Sequence, residues 1–169
     1  MQHRPESDLP TDGRTVFQWE SKYPKEARTI MLIEAGYLIF LFLGSILSLF
    51  LIYRGDMATI LNIEEYRKAT FNNIMYCISA GLLGGVTFSI KIFYRAIARG
   101  MWHADRKYWR WMAPLMSLSV SILIAAFMNN DILGRASHAI AIGYFAGYFS
   151  EHAMGKMYDI AAVLFSSPR

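Results

Sequence analysis

Cysteine and charge are scarce in this sequence. Of 169 residues only one is cysteine, Cys77, which excludes an intramolecular disulfide. A reactive thiolate needs an accessible, electropositive setting. The neighbours of Cys77 are apolar, so it reads as a small buried hydrophobe. Charged residues make up 18% of the chain, where a soluble domain carries about 25%. The four histidines, His3, His103, His138 and His152, have no zinc-ligand spacing. A phosphate-binding loop and a nucleophile–base constellation are also missing. These absences argue for a non-enzymatic chain with no cofactor and no metal. They leave little polar material for a soluble domain.

What the chain has instead is four long apolar runs, at about residues 30–53, 69–90, 111–128 and 137–154. The first contains one charge, Glu34, and the second none. About 18 or more apolar residues in helical form span a hydrocarbon core of roughly 30 Å. The predicted fold is therefore an all-α membrane bundle of four transmembrane helices, occupying residues 30–169. Residues 1–29 form a polar cytoplasmic N-terminal segment. A cleavable signal is not expected, because the first apolar run exceeds the roughly 7–15 residues of a signal core. Phe17 and Trp19 either rest at the interface as aromatic anchors or belong to a disordered tail.

Basic residues set the orientation. With the N-terminus inside, only Arg54, Arg67, Lys68 and Arg135 of the 17 lysines and arginines lie outside. The asymmetry predicts both termini in the cytoplasm. The first helix should start near Pro24, since proline suits a first turn. The outer loop at residues 54–68 should hold a short helix capped by Asp56, with a Glu64–Lys68 pair four residues apart. The other outer loop spans Asn129, Asn130 and Asp131 and turns at Gly134. Pro114 points to a third helix starting near Trp111. Gly155 should break the fourth helix, leaving Met157, Ile160, Ala161 and Leu164 on one face of a C-terminal interfacial amphipathic helix.

Candidate functional residues fall into three groups. Glu34 lies about 6 Å into the first run at 1.5 Å per residue. Glu151 and His152 reach a similar depth in the fourth run, and Lys91 and Arg95 close the second. Charge within a span is expensive and therefore informative. This level is either a set of ion pairs that fastens the bundle or a polar gate for ions or protons, with His152 as its pH-sensitive member. The second group comprises two glycine pairs four apart, Gly81 with Gly85 and Gly143 with Gly147. Such spacing permits close helix approach, within one chain or between subunits. In the third group, Lys91, Arg95 and Arg99 form a basic stripe, followed by Arg106, Lys107 and Arg110 interleaved with Trp102, Tyr108, Trp109 and Trp111. Arg99, Arg106, Lys107 and Arg110 then make a surface for an anionic inner leaflet or a cytosolic protein partner. Nucleic acid is disfavoured, because no binding module accompanies the patch.

Gly84-Gly85, Arg95, Trp109, Pro114, the run Gly147-Tyr148-Phe149-Ser150-Glu151, Lys156 and residues 160–165 carry a resemblance over roughly the last 90 residues. Here the chain resembles a loosely defined set of small four-helix bacterial inner-membrane proteins without a defined activity. Those proteins often have arginine before the proline, where this chain has Ala113. The resemblance implies a bacterial inner-membrane location and a setting among bacterial stress or antiphage (antiviral) defence genes. Two function classes follow: a homo-oligomeric pore (channel) or membrane sensor gated near Glu34, Lys91 and Glu151, and an anchor or scaffold recruiting a cytosolic partner through its basic loop.

Overall fold

The computed structural model describes residues 23–127 and 134–165. The expected N-terminal anchors Phe17 and Trp19 and the loop at Asn129, Asn130 and Asp131 lie outside the described residues, as do the side chains of Ala161 and Leu164. Every regular element among the described residues is helical: α1 (Lys25–Arg54), α2 (Asp56–Ile60), a single 3-10 turn (Glu65–Arg67), α3 (Lys68–Ala98), α4 (Lys107–Phe127), α5 (Ala136–Tyr148) and α6 (Ser150–Phe165). Helices α1, α3 and α4 are each long and apolar enough to cross a membrane, which marks the chain as a multi-pass membrane protein.

The boundaries of α1 follow from its flanking residues. Pro24 occupies the N-cap with extended backbone. Gly55 ends the helix in the left-handed region (φ 81°), and its N–H reaches the Ile52 carbonyl at 3.0 Å. Only glycine takes that φ without steric cost. Between these ends, Leu32, Phe40, Leu43, Leu47 and Phe50 remain exposed. A contiguous apolar face of this kind suits contact with lipid chains.

Helix α3 is the centre of the bundle and contacts α1, α4 and α5. Its sequence allows this because its glycines admit neighbours on two sides. A Cβ on Gly85 would overlap the Ser117 hydroxyl of α4, and one on Gly81 would overlap that of Ser121. Toward α5, a Cβ on Gly84 would strike the Tyr144 carbonyl, one on Gly143 the Cys77 carbonyl, and one on Gly147 the Gly81 carbonyl. The backbones of α3 and α5 are thus in direct contact. The pairings show α5 running parallel to α3 and α4 running antiparallel to it. Helix α1 meets α3 through Ser48 and Ser79, whose hydroxyls lie 2.8 Å apart. Cys77 is fully buried in this core with Ile52, Tyr76, Ala125 and Ala139. Packing and interhelical hydrogen bonds of this type hold helices together where lipid removes the hydrophobic drive.

Several expectations need correction. The fourth apolar run, expected as one continuous helix, is divided into two. Phe149, at φ −98° and ψ 12°, departs from helical backbone and separates α5 from α6. At 13 residues α5 is ~20 Å long, short of the roughly 30 Å core. Gly155, the expected break, sits inside α6 without interrupting it. Helix α4 starts a turn before Trp111, at Lys107, so Pro114 lies within the helix. In the connection after α1, Gly55 rather than Asp56 occupies the N-cap of α2. Asp56 instead pairs with Arg54 at 3.1 Å. Lys68 bonds Glu65 rather than Glu64, and Glu64 faces Arg67 at 3.9 Å.

Candidate functional site

The N-terminus of α1, the C-terminus of α3, the N-terminus of α4 and the α5–α6 junction gather at one end of the bundle, here termed the basic end. Its centre is Glu34, which is 0% exposed. A lone carboxylate at that depth would be prohibitively costly. Arg110 pairs with it in a fork: Nε donates to Oε1, and Nη2 donates to Oε2 at 3.0 Å. The indole Nε1 of Trp102 donates to the same Oε2 at 3.1 Å. Arg110 also donates to the His103 carbonyl at 3.3 Å, and its guanidinium carbon lies 5.4 Å from the Trp102 ring centroid. Planar guanidinium geometry matches a carboxylate bidentately, which a lysine could not do.

Each member of this clamp comes from a different element. Glu34 lies on the face of α1 that also buries Met31 and Leu38, the i, i+3, i+7 spacing of one helical stripe. Trp102 belongs to the α3–α4 connection, entered through Gly100 at φ 67°. Arg110 lies in the first turn of α4. A second tie adjoins the clamp. The Tyr37 hydroxyl donates to the Trp111 carbonyl at 3.1 Å, and the two rings stack at 5.4 Å. Tyr23 adds an edge-on contact to Trp102 at 6.1 Å.

The expected charged level is not assembled as predicted. Glu34 pairs with Arg110, not with Lys91 or Arg95. The earlier start of α4 brings the arginine fork to the carboxylate, while Lys91 and Arg95 are exposed on α3. Lys91 Nζ donates to the Tyr148 hydroxyl at 2.8 Å and sits 5.5 Å from that ring centroid. Arg95 has no ion pair among the described residues. Glu151 is exposed, and its side chain borders a cavity of about 30 Å³ with Phe88, Trp109 and Arg110. That volume holds no more than a water or two. His152 is exposed and meets the Phe88 and Phe149 rings edge-on at 6.5 and 6.4 Å.

The predicted basic surface is also rearranged. Arg110, 7% exposed, is removed from it by the clamp. Arg99 and Arg106 are exposed and have no ion pair among the described residues. Lys107 is half-buried, with Nζ 5.1 Å from the Tyr108 ring centroid and 5.5 Å from that of Trp111. Trp102 was expected only as an interfacial aromatic; the structure makes it a donor to the buried carboxylate. The signal for that role was the unmet donor demand of Glu34, which one arginine does not exhaust. Chemically, the clamp is a buried carboxylate paired with a guanidinium and accepting three hydrogen bonds. Comparisons with protein-family models, with curated proteins and with solved structures found no match.

Proposed function

We propose that this chain is a non-enzymatic membrane anchor that holds a basic docking surface at a fixed position and recruits an acidic cytosolic protein. The observation that carries this reading is the clamp. Trp102 and the His103 carbonyl tie the α3–α4 connection to Glu34 and Arg110, while Arg99 and Arg106 on that connection keep their guanidinium groups unpaired among the described residues. A surface ordered in advance loses less entropy on binding. In this reading the basic end faces the cytoplasm of a bacterium, with both termini on that side, as the lysine and arginine distribution argues. The test is recovery of the tagged full-length chain from its host in mild detergent, comparing wild type with R99E/R106E. Loss of one acidic soluble protein from the variant, at unchanged thermal stability, is the expected result. Equal recovery from both chains overturns it.

A second reading, self-assembly into a pore or membrane sensor, draws on α1. Its exposed face includes Gly36 and Gly44, neither of which has an atom within 4 Å of where a Cβ would stand. A native mass of several copies, with conductance in planar bilayers altered by Glu151→Gln, would favour this reading over the anchor.

A further inference from the structure

The α1–α3 seam at the basic end carries a groove of about 320 Å³ lined by Arg28, Met31, Leu32, Ala35, Phe93 and Ile97. We propose that this groove is a binding site for one anionic glycerophospholipid, with an acyl chain along the apolar lining and the headgroup phosphate on Arg28.

The depth of the lining residues supports this occupant. Helix α1 has 30 residues, or ~45 Å, and centring a core of roughly 30 Å on it leaves about five residues outside at each end. Arg28 is the fourth residue of α1 and so stands at headgroup level. Met31, Leu32 and Ala35 descend from it into the hydrocarbon on the groove side. On α3, Phe93 and Ile97 are four apart and form the opposite wall. The polar element of this lining is a guanidinium, placed where a phosphate would lie.

Charge supports the same assignment. Arg28 is exposed and has no ion pair among the described residues, and Lys25, three residues earlier on the same face, has none either. A guanidinium fork binds phosphate oxygens bidentately. Arg95 and Arg99 near the end of α3 add positive potential, which favours a headgroup with net negative charge over a zwitterionic one. The Tyr23 hydroxyl, 3.4 Å from the Ile97 carbonyl, ties the segment before α1 to the α3 wall.

The test uses the full-length chain purified in mild detergent, with phosphatidylglycerol or phosphatidylcholine added, and lipid adducts counted by native mass spectrometry. The expected result is one retained phosphatidylglycerol under conditions that strip phosphatidylcholine. Arg28→Gln should lower its occupancy about fivefold, the worth of one cation at an anionic surface. Ala35→Phe, which fills the groove, should abolish the adduct. Should Ala35→Phe fail to fold, Arg28→Gln, an exposed change, still decides. Equal retention of both lipids, or undiminished phosphatidylglycerol on Arg28→Gln, overturns the proposal.

Discussion

Among the described residues, Arg110 and Glu34 form a buried ion pair, with side chains 8% and 0% exposed. Removing one partner of a buried pair strands the other charge and costs about 3–5 kcal/mol. Arg110→Ala should therefore destabilise the bundle by about that amount. Replacing both residues, as in Glu34→Met with Arg110→Met, should recover most of the loss, because no buried charge then remains. Unfolding of the single and double variants in one detergent gives the coupling; additive losses would show that the two charges do not interact. Trp102→Phe keeps an aromatic ring but removes the indole donor. It should cost about 1.5–3 kcal/mol, the range for a hydrogen bond to a charged group. The carboxylate itself was visible as a lone charge in an apolar run. Its partner was not, because proximity in sequence favoured neither Arg110 nor Lys91 and only helix placement separates them.

At the level of elements, the stability of α3 against α4 and α5 rests on missing side chains. Gly147→Leu and Gly81→Leu each drive a side chain into a backbone or hydroxyl already in contact. Overpacking of a tight interior costs about 1–3 kcal/mol or more, and here the obstruction includes backbone, which cannot change rotamer. Gly36→Leu, on the open face of α1, should leave unfolding within about 0.5 kcal/mol of wild type, as surface substitutions do. Comparable losses at Gly36 and Gly147 would sink the distinction between the two faces. The Ser48–Ser79 contact between α1 and α3 is weaker, and a double-mutant cycle to alanine should give about 0.6 kcal/mol of coupling. Glycine spacing was legible in the sequence, but whether it served an intrachain seam was not. Gly36 and Gly44 are also glycines in an apolar run, and they face open space.

For the molecule as a whole, orientation is the property with the most direct test. Cys77 is 0% exposed, so the natural chain should give little background with a membrane-impermeant thiol reagent. Single cysteines at Arg99 and Tyr158, both exposed, should label from the cytoplasmic side only. One at Ser137, near the start of α5, should label from the opposite side only. Labelling of all three from one side would overturn the proposed topology, and labelling at position 99 from the outer side would overturn the anchor reading. The result also bears on the fourth apolar run: ~20 Å of α5 falls short of the roughly 30 Å a straight span needs, so the chain after Phe149 must carry any crossing to completion.

Composition and hydropathy alone determined that this chain is helical and belongs in a membrane. Apolar length is a one-dimensional property, and a helix satisfies its own backbone in lipid without help from a partner. The sequence likewise marked Glu34 and the glycine pairs as unusual, because each departs from the lipid-compatible background of its run. Tertiary structure decided everything that depends on azimuth and register. It placed Arg110 rather than Lys91 on the carboxylate, turned Trp102 into a donor, divided the fourth run at Phe149 and put Gly147 against Gly81. In lipid, a transmembrane helix is apolar on both its packed and its exposed faces, so periodicity does not report which side meets a neighbour. Only the fit of one backbone against another makes that choice.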